Sequence, residues 1–289
     1  MLSFARAAAN GFHMPPQLEA LSVAEYARLE TALGMTVRES GGIHWVRPRP
    51  FFWRPLLPYE PFPLAPANRP PGWGGWQQVV REPAAANATM AFLMLEQPAE
   101  YSLEGVTHNR RRLIRGAGRK LTVRPLRDAR QFHTEGYAAY VSFYQRTRYG
   151  HLESRRRGEH FARWADTLLA EPKALILGAF AEDTLRAVSV AYWVGATLLY
   201  ATHFTDGEAL RWGATELLFH SLREAAAAQP GIRRVYVRRY QGGNSMDQYY
   251  QMRGAELVRL PARLELPPAL RWPLRLLRPR WYARLRGTP

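Results

Sequence analysis

The sequence predicts an α/β chain of the α+β kind: a mixed, mostly antiparallel twisted sheet flanked by helices, preceded by a partial N-terminal α/β subdomain. Three observations carry this expectation. Apolar runs of strand length at 174–180, 185–194 and 197–204 follow one another through tight connections at 181–184 and 195–196, the pattern of an antiparallel meander. Segments with helical periodicity stand before and after that meander. The first hundred or so residues also hold a capped helix and strands of their own.

Ser22, with Glu25 three residues on, forms a capping box, and Tyr26, Leu29 and Leu33 continue near helical spacing to a glycine C-cap at Gly34. A helix over 21–34 is therefore expected. Residues 35–37 and 43–46 read as short strands separated by Gly41 and Gly42. From Arg47 to Gly75 the chain is crowded with proline, and no regular element is expected there. Phe51, Phe52, Trp53 and Trp73 argue against a flexible linker, so residues 47–75 read as an ordered loop that shapes an acceptor pocket.

Residues 88–96 read as a buried strand, stopped by Pro98. A helix over 107–119 follows, with Arg110, Arg111, Arg112, Arg115 and Arg119 as a polyanion-binding surface and Leu113 and Ile114 as apolar contacts. The order then becomes regular: strand 121–125, helices 129–145 and 154–170, the three-stranded meander, and a loop at 205–212. A helix starts near Gly213 and ends at Pro230 and Gly231. Strand 232–237, a short helix over 244–253 and strand 256–264 complete it.

Composition narrows the chemistry. There is no cysteine, which excludes disulfides, thiolate metal sites and cysteine nucleophiles. The eight histidines are scattered without ligand spacing, so no metal site is expected, and neither a Walker loop nor a dinucleotide fingerprint is present. A net charge of +16 suits a polyanionic partner such as tRNA, a nucleotide carrier or anionic lipid. Lys120 and Lys173 are the only lysines, so biased composition is the competing explanation for so much arginine. No apolar run approaches the roughly 18 residues of a bilayer span. The stretch from Met1 to Ala9 lacks the apolar core of a signal sequence, and the expectation is a cytoplasmic protein.

The element order resembles the GNAT acyltransferase superfamily over roughly the last two thirds of the chain. In that family the donor's pyrophosphate lies on the amides that open the helix after the fourth strand. The matching segment here is Leu210, Arg211, Trp212, Gly213, Ala214 and Thr215; Gly213 fits the family pattern, whereas Leu210 and Thr215 depart from it. The resemblance makes Arg211, Trp212, Gly213, Ala214 and Thr215 donor-binding candidates, with Arg211 the side-chain phosphate contact. A second match runs from Asn244 to Gly254, where Tyr250 and Gly254 keep the family spacing. It implies Tyr250 as the acid that protonates the departing group and Asn244 as a further donor contact. Glu153, Glu208, His203 and Asp206 are available as a base, and His203 and Asp206 are preferred because they follow the fourth strand.

The arginine-rich helix, the altered donor motif and the strand running into Leu266 resemble the Fem-like branch, which includes aminoacyl-tRNA-dependent peptide-bond formers. The implied function is transfer of an acyl or aminoacyl group to an amine, such as a peptide or cell-wall precursor. The carrier is acyl-CoA or aminoacyl-tRNA as co-substrate, with no cofactor bound permanently. A non-catalytic polyanion-binding protein that keeps the fold is the alternative.

In the tail, Leu270, Leu274, Leu277, Trp281 and Leu285 recur at helical spacing beside Arg271, Arg275 and Arg278, interrupted at Pro273 and Pro279. Two readings stand: a foot on the inner face of an anionic membrane, or a tail packed on the protein's own surface. The expected organisation is a partial subdomain over 1–100, a GNAT-like domain over 101–266 and a basic tail over 267–289.

Overall fold

The computed structural model describes residues 18–147 and 155–287. The stretch from Met1 to Ala9, the candidate base Glu153 and the expected helix start at Ser154 lie outside the described residues.

The chain begins with α1 (Val23–Ala32), whose capping box is present: the Glu25 amide donates to Ser22 Oγ and the Ser22 amide to the Glu25 carboxylate. Two first-turn donors are thereby satisfied. A hairpin follows, β1 (Val37–Ser40) with β2 (Ile43–Arg49). The proline-rich segment is more regular than its composition implies, holding β3 (Phe52–Pro55) and β4 (Pro61–Phe62) ahead of β5 (Gly75–Val80). Proline is tolerated because Pro55 ends its strand and Pro61 starts one of only two residues, so few ladder donors are lost.

Next come β6 (Ala88–Glu96), α2 (His108–Gly118) and β7 (Thr122–Pro125). The single helix expected over 129–145 is α3 (Ala129–Gln131), a π-turn at Phe132–Gly136 and α4 (Tyr137–Thr147) in succession. Then follow α5 (Gly158–Leu169) and the meander β8 (Ala174–Ala181), β9 (Thr184–Val194) and β10 (Thr197–Thr205). The expected loop over 205–212 is instead largely α6 (Gly207–Trp212), because Asp206 caps its first turn. After α7 (Ala214–Ala227) the chain closes with β11 (Arg234–Arg239), α8 (Ser245–Gln251), β12 (Glu256–Glu265), α9 (Pro268–Leu277) and α10 (Pro279–Arg286). Pro273 lies inside α9 without ending it, and Pro279 opens α10, where a missing N–H has no helical partner to lose.

Among the described residues the chain forms two compact units, one of residues 18–21 and 97–235 and one of 22–96 and 236–287. In the first, β7, β8, β9 and β10 are neighbours in that order and every pair is antiparallel. Aromatic side chains dominate its core. Phe132, Tyr140, Phe161 and Trp164 cluster with Phe204 of β10, and Phe219 of α7 packs on Tyr200 at 5.6 Å. Each such ring contributes roughly 2–3 kcal/mol of apolar burial.

The second unit orders its strands β1, β2, β3, β5, β12, β6, with β4 also on β5. This sheet is mixed, since β3 and β4 run parallel to β5 while the other neighbours are antiparallel. Trp45 meets Trp76 edge-on at 5.9 Å, and Ile43 and Trp53 complete that cluster. A second cluster joins Leu264 and Leu266 to Leu285 of α10.

Candidate functional site

The features that gather in the first unit begin on β10. Its register against β9 passes from Tyr200 opposite Ala191 to Thr202 opposite Val190, so Ala201 is an extra residue, an exposed β-bulge. A bulge takes backbone groups out of the ladder and re-aims the strand. Two residues on, His203 Nε2 lies 3.0 Å from Thr215 Oγ1, a contact that ties β10 to the first turn of α7. Burial, and then the nearby Arg146 guanidinium, lower the His203 pKa to about 4, so its ring is neutral at pH 7.

The start of α7 is open. Gly213 precedes it in the left-handed region at φ 89°, no side chain caps the helix, and the ladder begins only with the Leu217 amide on the Gly213 carbonyl at 3.1 Å. The amides of Ala214, Thr215 and Glu216 therefore lack a helical acceptor, and the helix dipole places partial positive charge there. Such a terminus accepts phosphate. Glu216 opposes this with a carboxylate in the same turn.

Against this terminus runs the arginine-rich α2. A Cβ placed on Gly213 would stand 3.3 Å from Ala117 Cβ and 3.8 Å from the Leu113 carbonyl, so glycine serves both the backbone angle and the close approach. Ile114 and Ala117 form the buried side of α2, leaving Arg112, Arg115 and Arg119 exposed. Arg111 is committed elsewhere, donating to the Glu104 and Val106 carbonyls at 2.7 and 3.2 Å. Arg110 is partly buried near Tyr101 and Arg223.

Asp206 is occupied. Its Oδ1 accepts from the Glu208 and Ala209 amides at 2.9 and 2.7 Å, while Oδ2 pairs with Arg186 Nε at 2.6 Å. Arg186 also pairs with Glu208, and with Lys120 it flanks the Trp212 ring, at 5.6 and 5.8 Å from the centroid. Trp212 is thus held by two cations, while Arg211 is exposed in the last turn of α6. Residues 186, 203 and 206 and the whole segment 211–215 belong to the same unit.

Asn244 and Tyr250 belong to the second unit. Asn244 caps α8, its Oδ1 accepting from the Asp247 amide at 2.9 Å. Asp247 is fully buried and accepts from the Gln241 and Gly243 amides at 2.8 and 3.0 Å, which fixes the loop ahead of the helix. Tyr250 is buried and meets Tyr249 edge-on at 5.0 Å.

One cluster escaped the reading of the sequence. Tyr101 Oη lies 2.6 Å from His220 Nδ1, His220 Nε2 lies 3.4 Å from Glu224, and the Arg223 guanidinium covers the Tyr101 ring at 3.8 Å. Desolvation pushes Tyr101 up to about 12, so it is the donor, and His220 then carries its proton on Nε2, toward Glu224. Burial lowers His220 to about 4 and raises Glu224 to about 7, so the ring is neutral at pH 7 and their contact is not an ion pair. Tyr101 and His220 are 119 apart in sequence, and no local motif announces their contact.

An antiparallel meander interrupted by a bulge, followed by a helix with an open N-terminus, defines a GNAT-type α/β fold. No family model matches the sequence, and no curated protein matches it. Among solved structures it is similar to FemX, at 9% identity and a TM-score of 0.53, covering 95% of this chain and 98% of that one. It is also similar to L-PGS from Bacillus licheniformis, at 12% identity and a TM-score of 0.53, covering 89% and 90% of the two chains. A third likeness is to the C-terminal domain of a protein from Agrobacterium fabrum described as a lysylphosphatidylglycerol synthetase, at 12% identity, 89% and 90% coverage and a TM-score of 0.52. At these identities the likeness is one of fold alone.

Proposed function

We propose that the chain is an N-acyltransferase that moves an acyl or aminoacyl group from a phosphate-bearing carrier, acyl-CoA or aminoacyl-tRNA, to an amine acceptor. The observation that supports this best is the open start of α7 packed against the arginine-rich α2 at Gly213. Helix amides and exposed guanidinium groups together suit a carrier that presents more than one phosphate. Arg211 and the exposed Arg112, Arg115 and Arg119 are the proposed side-chain contacts. Peptides and cell-wall precursors are the acceptor classes that fit the reading, and a cytoplasmic setting goes with it.

In the proposed reaction the amine lone pair attacks the carrier's carbonyl carbon, and the C–O π electrons move onto oxygen. The oxyanion is stabilised by a backbone amide near the Ala201 bulge. Collapse re-forms the carbonyl and expels the thiolate of coenzyme A or the ribose oxygen of tRNA, which takes up a proton, while the attacking nitrogen loses one. Alignment of the two reactants supplies most of the acceleration. With its pKa near 4, His203 is a weak base, and it is proposed to orient Thr215 at the helix start. Asp206, committed to a cap and an ion pair, takes no proton in this scheme.

Glu216 and the engagement of Thr215 favour a second reading, polyanion binding without turnover. Thermal unfolding in the presence of acetyl-CoA, longer acyl-CoAs and charged tRNA separates the carriers, because a ligand bound by the folded state alone raises the melting temperature. A rise with one carrier class that Gly213→Val abolishes supports the site. No rise with any of them overturns it.

A further inference from the structure

The C-terminal helices carry a feature that the transfer reaction does not use. α9 has no buried residue, and Trp272, Leu276 and Leu277 are 58%, 71% and 76% exposed. Trp272 and Leu276 are four residues apart and share a helix face with Ala269 and Pro273, while Arg271 and Arg275, also four apart, line the adjacent face. Between them lies a shallow concavity of about 140 Å³ lined by Pro268, Arg271, Trp272 and Arg275. A frayed tail would not hold such a face in place, but this one is anchored.

The anchor is α10. Leu285 sits in the core with Leu264 and Leu266, and its carbonyl accepts from Nε2 of the fully buried Gln77 at 2.6 Å. Gln77 in turn accepts from Arg239 at 2.9 Å, and the Arg49 guanidinium lies 4.0 Å from the Trp281 ring centroid. Leu274 and Tyr282 pack on the same core cluster from either side of the Arg278 break. An exposed apolar face is thus fixed to the second unit beside a row of cations. From residue 266 to 289 the chain holds six arginines and no acidic residue.

We propose that α9 is a docking site for the surface of an anionic lipid bilayer. Trp272, Leu276 and Leu277 enter the headgroup and acyl boundary, and a lipid phosphate occupies the concavity between Arg271 and Arg275. The charge complementarity selects an anionic surface, and the indole suits the boundary, where one part of the ring is apolar and its N–H stays wet. Arginine is the appropriate cation because its planar fork takes phosphate oxygens in pairs. Neither acyl transfer nor the α7 terminus enters this argument, so the proposal stands or falls separately from the proposed function.

The test is flotation of the full chain with vesicles of phosphatidylcholine alone and of phosphatidylcholine with about one part in three phosphatidylglycerol. Binding to the second and not the first is expected, with a partition coefficient that falls as salt rises. Trp272→Ser with Leu276→Ser should lower it at least about tenfold, and Arg271→Gln with Arg275→Gln should remove the preference for anionic vesicles. All four side chains are exposed, so the variants should melt with the wild type, whereas truncation of the tail would take Leu285 out of the core. Unchanged partitioning of either double variant overturns the proposal, as does equal binding to both vesicles. Loss of tRNA retention with vesicle binding intact in the arginine variant also overturns it, and assigns the face to nucleic acid.

Discussion

Gly213 and Ala117 lie so close that a methyl group on the glycine would stand 3.3 Å from the Ala117 side chain, and the glycine backbone is left-handed at φ 89°. This contact sets the arginine-rich helix beside the open end of α7. Gly213→Ala should therefore cost about 1–2 kcal/mol from the backbone angle alone. Gly213→Val should cost more, because its branches must also push α2 away. Urea unfolding of both variants checks this, and equal stability of Gly213→Ala and Gly213→Val would show that α2 does not press on this position.

Asp206 offers a cleaner distinction between a cap and a base. Asparagine caps helices as well as aspartate does, so Asp206→Asn should keep α6 and most turnover while losing the ion pair to Arg186. Asp206→Ala should lose the cap and about 1 kcal/mol. If turnover instead collapses in Asp206→Asn at unchanged stability, the carboxylate is acting on substrate protons.

The legibility of these features followed the physics that produces them. β8, β9 and β10 were readable because strands buried on both faces are continuous apolar runs, and the capping box of α1 was readable because both partners lie within one turn. β5 was not, since Gln77 and Gln78 are buried polar residues whose partners, Arg239 and the Leu285 carbonyl for Gln77, are far away in sequence. Asp206 illustrates the same limit at the site. Its position after a fourth strand suggested proton transfer, whereas its lone pairs are taken by α6 and Arg186. The start of α7 was found through a resemblance, but its approach by Ala117 depends on a contact that no local pattern encodes.

The exposed arginines of α2 make a quantitative prediction about salt. If Arg112, Arg115 and Arg119 each meet a phosphate of charged tRNA, replacing all three by Gln should reduce the slope of log K against log salt by roughly 2–3. Fluorescence anisotropy across a salt series measures it. A uniform loss of affinity with no change in slope would mean that these side chains do not touch phosphate.

The cluster of Tyr101, buried His220 and half-buried Glu224 predicts opposing pH effects. His220 titrates near 4 when folded and near 6.5 when unfolded, so its contribution to stability falls as pH drops from about 6.5 to 4, by at most about 3 kcal/mol. Glu224 is raised from 4.5 to about 7, so its contribution is present below 4.5 and lost as pH rises toward 7. The two offset each other in the wild type. Relative to wild type, Glu224→Gln should gain stability as pH rises from about 4.5 to 7, and His220→Gln should lose it as pH rises from about 4 to 6.5. Parallel stability curves for all three proteins would show that the cluster does not titrate as described.

The proposed transfer requires a phosphate-bearing acyl carrier to be held at the start of α7 while an amine attacks it. The direct measurement is loss of labelled acyl group from acyl-CoA or aminoacyl-tRNA in single turnover, with and without an amine acceptor, for wild type and Gly213→Val. Amine-dependent loss with one carrier is expected, slowed at least about tenfold by Gly213→Val, with the label recovered as an amide. Tight carrier binding with no amine-dependent loss in either protein would contradict it and leave a polyanion-binding protein on a transferase fold.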